Sequence, residues 1–221
     1  MPSTITMVRH GQASLGSANY DQLSPLGYEQ SRWLGEYLAK EGHQFDQVIT
    51  GAMARHKQTA DALLAGAGLT SDWREDARWN EFHFEQLVRL YLAQNPELAD
   101  ETRTDKRQML RALKLSLHAW VQNQLPAEQL SETWAQFEAR VVSALAELPG
   151  DKNILIVSSG GALSMALCHI LKAAPETMIS LNLQTANTAV HQCIATRDGL
   201  QLTRFNHLPH LADKAEHTTF F

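Results

Sequence analysis

The chain has 221 residues, 44% of them hydrophobic, and a formal net charge of -5. That length suits one large domain or two small ones with a real core, and the acidic balance speaks against nucleic-acid binding, which shows a basic surplus. The two cysteines, Cys168 and Cys193, form neither a disulfide framework nor a metal-ligand spacing, which fits a reducing compartment. Met1-Pro2-Ser3-Thr4 lacks the basic start and apolar run of a signal peptide, and no apolar run is long enough to span a membrane. The expected location is cytoplasmic, with no membrane partner.

Ile5 to Val8 is a short apolar run that predicts a strand buried on both faces, as in a parallel sheet. Its C-terminal end delivers Arg9 and His10 to the rim where open α/β sheets bind ligands, and Gly11 lets the backbone turn and approach an anion. Histidine can act as a nucleophile, and arginine offers a planar fork of donors that fits phosphate oxygens. A polar loop, Ala13 to Leu23, follows. Ser24-Pro25 reads as the N-cap and first turn of a helix with Leu26, Trp33, Leu34, Tyr37 and Leu38 on its core stripe, stopped at Gly42. Phe45 to Thr50 predicts a second strand, and Met53 to Leu64 a second helix. Strand–helix–strand–helix is the pattern of a parallel sheet with crossover helices.

The middle has another character. From about Phe84 to Leu148 no convincing strand occurs. Leu87, Leu90 and Tyr91 predict a helix before Asn95-Pro96, Lys106 to Gln124 a long second one, and Ser131 caps a third with Trp134, Phe137, Val141, Leu145 and Leu148 at helical spacing. This block reads as a helical insertion of about 84–148 within a single domain of residues 1–221. Arg103, Lys106, Arg107, Arg111 and Lys114 recur along it, the ordinary pattern of a solvated helix face. Asn153 to Ser158 returns to a strand, and Ser159-Gly160-Gly161 leads directly into a helix, Ala162 to Leu171. Thr188 to Ile194 and Leu200 to Phe205 flank Asp198-Gly199, a hairpin turn signal.

Four rims carry chemistry. The first holds Arg9, His10 and Gly11. The second runs from Thr50 to Arg55, with Arg55 in the first turn of a helix, where guanidinium and helix end both favour an anion. The third is Trp79-Asn80-Glu81-Phe82, an acid after an extended segment. The fourth is Ser158-Ser159-Gly160-Gly161, whose backbone N–H groups can cradle phosphate. Taken singly, Arg55 reads as a solvated helix residue, Glu81 as a surface acid and Gly160-Gly161 as a tight turn. Their joint occurrence at successive rims is the informative observation.

On these residues the chain resembles the histidine phosphatase superfamily, also called the phosphoglycerate mutase-like family, from Ile5 to about His210. Arg9-His10-Gly11 after the first strand is that family's hallmark. Arg55 followed by Gln58-Thr59-Ala60 matches its second arginine segment, and Asn80-Glu81 the position of its acid; Asn206 and His210-Leu211 match more weakly. The resemblance implies a three-layer α/β/α sandwich with a mainly parallel sheet. It implies His10 as the nucleophile that carries a transient phosphoryl group, with Arg9 and Arg55 on the phosphoryl oxygens. Glu81 would protonate the leaving oxygen and then activate water. Gly11, Gln12, Ser14, Ser159 and Gly160 complete the expected phosphate pocket. Phosphoryl transfer needs in-line positioning and charge stabilisation, so neither metal nor cofactor is expected.

Two departures stand out. Most family members carry a second phosphate-binding histidine after the strand that ends at Ser158; here that position is Ser159. A neutral donor is about half as strong as a charged one. After Glu81, where many such phosphatases have Phe-Gly, Phe84 is followed by Glu85, which makes Glu85 a backup for the acid; His83 is a nearby candidate to replace the lost imidazole. The loop Gln12-Ala13-Ser14-Leu15-Gly16-Ser17 looks more like the phosphatase branch than the mutase branch. The expected activity is hydrolysis of a small phosphorylated substrate. The alternatives are a catalytically weak member that binds a phosphorylated ligand or protein, and a mutase. A homodimer is the default assembly.

Overall fold

A computed structural model describes residues 3–14, 21–70, 72–102 and 106–220. A six-stranded sheet is built from β1 (Thr4–Arg9), β2 (Gln47–Thr50), β3 (Arg74–Glu75), β4 (Ile154–Ser158), β5 (Val190–Thr196) and β6 (Gly199–His207), in the order β3-β2-β4-β1-β5-β6. The pairs from β3 to β1 are parallel; β5 and β6 add an antiparallel edge. The expected α/β fold with a mainly parallel sheet is therefore present. Val-Ile-Leu sequences buried on both faces specify the central strands, and all five residues of β4 are buried.

Side chains alternate between two cores, as strand geometry requires. Val8, Val48, Leu155 and Val157 face one side, where they meet Leu34 and Leu38 of α1 (Pro25–Lys40) and Leu63 of α2 (Ala54–Gly66). Ile5, Met7, Ile49, Ile154 and Ile156 face the other. There they join Leu163 and Leu167 of α7 (Gly160–Ile170) and the helices between β3 and β4. Those that supply core residues are α3 (Phe84–Gln94), α5 (Lys106–Val121) and α6 (Trp134–Ala146); α4 (Pro96–Thr102) lies between α3 and α5 in the chain. α8 (Thr177–Gln184) has no counterpart in the sequence reading; its N-cap Glu176 makes no side-chain cap bond. α6 is capped by Thr133 and not by Ser131 as expected. Thr133 and Gln136 form a reciprocal capping box, while Ser131 bonds to Gln86. In the basic run, Arg107, Arg111 and Lys114 are exposed on α5, as a solvated face requires; Arg103 lies outside the described residues.

The topology sets the site. β4 lies between β2 and β1, and all three run parallel, so their C-terminal ends open on one edge. Arg9 pairs with Ser158, and Thr50 with Val157, which places His10, Gly51 and Ser159 side by side. The Glu81 segment follows a 3-10 turn, Ala77–Trp79, and is tied to that edge by the Ser158 hydroxyl, which donates to the Trp79 carbonyl at 2.5 Å. Arg140 of α6 donates to the carbonyls of Arg78 and Asn80, both at 2.7 Å. Phe82 anchors the far side, with its ring 5.0 Å from Trp120 and 5.4 Å from Phe137.

Candidate active site

His10 is 3% exposed. Its backbone N–H donates to the Ser158 carbonyl at 2.8 Å, and its carbonyl accepts from the Asn187 side chain at 3.1 Å. Its Nδ1 lies 2.7 Å from the Gly11 carbonyl. A carbonyl can only accept, so the ring proton sits on Nδ1 and the lone pair on Nε2. Burial, then the charges of Arg55 and Arg9, hold the imidazole pKa well below its usual value. The ring is neutral at neutral pH, and the nitrogen that carries its lone pair faces away from its anchor.

Gly11 is dictated by close packing. A Cβ there would lie 2.4 Å from the Gly27 carbonyl oxygen, so only glycine lets this loop rest on α1. The Gly11 N–H donates to the Thr59 hydroxyl at 3.0 Å, and that hydroxyl donates to the Arg55 carbonyl at 2.7 Å. Gln58 accepts from the Leu23 N–H at 2.9 Å. The Gln58-Thr59 part of the second motif thus fastens the loop after β1 to α2. Gln12 accepts from the Ser24 hydroxyl at 2.8 Å, and Ser14 donates to the Leu23 carbonyl at 3.0 Å. Both side chains are engaged in holding that loop.

Arg55 stands in the first turn of α2 and is 4% exposed. Its Nη1 donates to Asp21 Oδ1 at 2.9 Å, and Asp21 Oδ2 accepts from the Ala54 N–H at 2.9 Å. The N-cap Met53 has no capping side chain, so Asp21 serves as cap and counter-charge together. Nothing in the loop before it signals this partner in the sequence. Arg9, half-buried, donates through Nη1 to the Thr185 carbonyl. Gly160 leaves room beside it: a Cβ there would lie 3.6 Å from Arg9 Nε and 2.5 Å from Asn182 Oδ1.

The Glu81 carboxylate sits against the first turn of α7. Oε2 accepts from the Gly161 N–H at 3.0 Å and Oε1 from the Phe82 N–H at 3.2 Å. Burial raises its pKa, opposed by those N–H groups and by Arg55. Glu85 and His83 are exposed, on the wall of a cavity of about 740 Å³ that Arg55, Asp21, Met53, Phe82, Phe84 and Arg89 also line. His83, a candidate to replace the expected imidazole, is thus a surface residue; the ring beside Ser159 is that of His56. His56 Nε2 lies 2.7 Å from Ser159 Oγ, Arg55 Nη2 donates to the same oxygen at 3.3 Å, and the rings of His56 and His10 are 5.8 Å apart. Among the described residues, no group of three or more His, Cys, Asp and Glu is placed to hold a metal ion, and no helix is long and apolar enough to cross a membrane.

Comparison with known proteins bears on the same residues. The model of the histidine phosphatase superfamily (branch 1) matches residues 5–208. The chain is 26% identical over 213 residues to a 2,3-bisphosphoglycerate-dependent phosphoglycerate mutase of Zymomonas mobilis, covering 86% of this chain and 92% of that one. Among solved structures, a phosphoserine phosphatase of Entamoeba histolytica in complex with 3-phosphoglyceric acid superposes with a TM-score of 0.66 at 20% identity, over 95% of this chain and 99% of that one. An alpha-ribazole phosphatase of Shigella flexneri superposes with a TM-score of 0.64 at 21% identity, over 92% of this chain and 96% of that one. The family model spans the rims that carry His10, Arg55, Glu81 and Ser159, and the chain belongs to branch 1 of the histidine phosphatase superfamily.

Proposed function

We propose that the chain hydrolyses small phosphomonoesters through a phosphohistidine on His10. The observation that carries this reading is the 2.7 Å contact of His10 Nδ1 with the Gly11 carbonyl, which leaves Nε2 neutral and nucleophilic on a rim shared with Arg9 and Arg55. Nε2 attacks phosphorus, the bond from phosphorus to the leaving oxygen breaks, and that oxygen takes the Glu81 proton. Water then attacks the phosphohistidine and gives its proton to the Glu81 carboxylate. The N–P bond breaks, and inorganic phosphate leaves. Arg9, Arg55 and the backbone at Ser159 and Gly160 hold the phosphoryl oxygens throughout, while the Gly11 backbone fixes His10 and the loop beneath them, so no metal has to neutralise them. The raised pKa of Glu81 suits a group that must begin protonated.

The wall of the adjoining cavity supports a phosphatase over a mutase. Met53, Phe82 and Phe84 are apolar, and Asp21 and Glu85 offset Arg55 and Arg89. Such a wall suits a phosphate on an amphipathic body better than a substrate with several acidic groups. The mutase reading draws on the mutase relative matched over most of both chains. Turnover of a panel of phosphomonoesters decides, with 3-phosphoglycerate plus 2,3-bisphosphoglycerate as the mutase arm. Phosphate release that vanishes in His10→Ala supports the proposal. Isomerisation without net release, or release undiminished in His10→Ala, overturns it.

A further inference from the structure

Ser159 stands where a charged donor is expected, yet its hydroxyl is neither alone nor idle. It is 1% exposed at the N-cap of α7 and makes no capping bond. Arg55 Nη2 can only donate to Oγ, so one lone pair of the serine is committed. His56 Nε2, at 2.7 Å, can either accept the serine proton or donate its own. Its other nitrogen separates the two cases. His56 Nδ1 is buried and has no hydrogen-bond partner among the described residues. A proton there would be a buried donor left unmade, the costly kind of unsatisfied group; a bare lone pair is tolerated better. A proton on Nε2 leaves the Ser159 hydrogen without an acceptor instead, but a bound phosphoryl oxygen can satisfy that hydrogen, whereas Nδ1 is enclosed beside Gly51. With an anion in the site the proton therefore lies on Nε2, and His56 donates to Ser159. Burial and the Arg55 charge hold the His56 pKa well below its usual value, so the ring carries that one proton.

Ser159 Oγ thus accepts twice, from a guanidinium and from an imidazole. Its own hydrogen has no acceptor among the described residues and remains available on the rim that holds His10 Nε2. Two donors to one hydroxyl oxygen polarise its O–H bond and strengthen what it donates. The sequence is shaped around this ring. His56 is fully buried, and a Cβ on Gly51 would lie 2.2 Å from its Nδ1, so Gly51 leaves the space the imidazole fills.

We propose that His56 is a positioning residue that donates to Ser159 Oγ, so that the Ser159 hydroxyl, polarised by His56 and Arg55, donates to the phosphoryl oxygen in place of the family's second histidine. This rests on the phosphohistidine reading above and adds to it the device by which the site works with serine at that position. The rival use of a serine 2.7 Å from a histidine is a nucleophile with its base. That use needs the opposite proton placement, with Ser159 giving its hydrogen to His56.

The test is a double-mutant cycle with a conservative rescue, read in turnover, in affinity for tungstate as a phosphate-like anion, and in melting temperature. Ser159→Ala and His56→Ala should each lower kcat about a hundredfold, with KM moved far less, because the donor acts on charge that develops in the transition state. The double variant should fall no further than either single, because both remove the same donation. His56→Gln, whose amide N–H can reach the same oxygen, should recover kcat to within about tenfold of wild type; a purely structural histidine would not be rescued this way. Losses that multiply in the double variant, kcat unchanged in folded His56→Ala, or phosphate trapped on Ser159 instead of His10 would overturn the proposal. If His56→Ala does not fold, the comparison of His56→Gln with Ser159→Ala decides it: equal losses refute, rescue supports. Wild type without turnover on any ester refutes the phosphatase reading alone. The inference is then read in tungstate affinity, weakened by Ser159→Ala and kept by His56→Gln if correct, and equal in all variants if wrong.

Discussion

A histidine at position 159, where the family resemblance leads one to expect it, looks like a repair, and it should fail unless a second residue is changed. Ser159 Oγ has His56 Nε2 at 2.7 Å and Arg55 Nη2 at 3.3 Å, and all three residues are buried. Ser159→His drives a second ring into the space of the first. Overpacking of this kind costs about 1–3 kcal/mol. For a chain of this size, that lowers the melting temperature by roughly 2–4 °C per kcal/mol. The site also loses its donor: with the imidazole displaced, turnover should fall about a hundred- to a thousandfold, as when one oxyanion donor is removed. His56→Ala in the same chain frees the volume of one imidazole for the new one. The double variant Ser159→His/His56→Ala should therefore recover kcat to within about tenfold of wild type, its incoming ring in the role of the lost donor. Steady-state kinetics on one good ester and thermal melts of the four proteins suffice. Activity that rises in Ser159→His with His56 intact, or a double variant no better than that single, would refute the packing argument.

Three further predictions rest on other contacts. Thr59→Val leaves the buried Gly11 N–H without its acceptor, which should cost about 1–3 kcal/mol in denaturant melts and weaken phosphate binding. Gly161→Ala would put a methyl 2.1 Å from Glu81 Oε1 and 2.3 Å from the Phe82 ring, so kcat and melting temperature should both drop; unchanged kcat would mean that Glu81 is not held where the proton is needed. His210, pushed down to about 4 by burial, donates through Nε2 to Thr188 Oγ1, whose own hydrogen goes to the Asn187 carbonyl, and its Nδ1 has no partner among the described residues. Between that value and the ordinary histidine range the unfolded chain binds the extra proton, so stability is full near neutrality and is lost as pH falls. His210 should contribute about 3 kcal/mol of the acid loss by pH 4, beside the other buried histidines, so the loss should be smaller by about that amount in His210→Gln; denaturant melts at several pH values measure both.

Legibility in the sequence followed the locality of each cause. Arg9-His10-Gly11 and Ser159-Gly160-Gly161 stand at ends of strands whose apolar runs are unmistakable, and a parallel sheet brings such ends to one edge. His56 was illegible because its meaning comes from a partner 103 residues away, while its neighbours Arg55 and Lys57 make it look like part of a charged helix face. A signal existed: a serine at a position expected to hold an imidazole should prompt a search for a histidine on the neighbouring rim, with a glycine to make room for it. Asp21 was missed for a similar reason, since it caps a helix 33 residues on. Thr133 outcompeted Ser131 as the cap of α6 because Gln136 three residues later completes a capping box, a local signal passed over. The bonds of Gln12 and Ser14 to Ser24 and Leu23 arise from the turn that returns the chain to α1, which no motif encodes.

The most direct measurement is the chemical identity of the phosphorylated residue. Rapid acid-free quench of the protein with a fast-leaving phosphate ester, followed by peptide mass spectrometry, should find phosphate on the peptide that contains His10. The label should be lost in acid, kept in base and absent from His10→Ala. Phosphate on Ser159 or another hydroxyl residue, or a label that survives acid, would contradict the phosphohistidine mechanism.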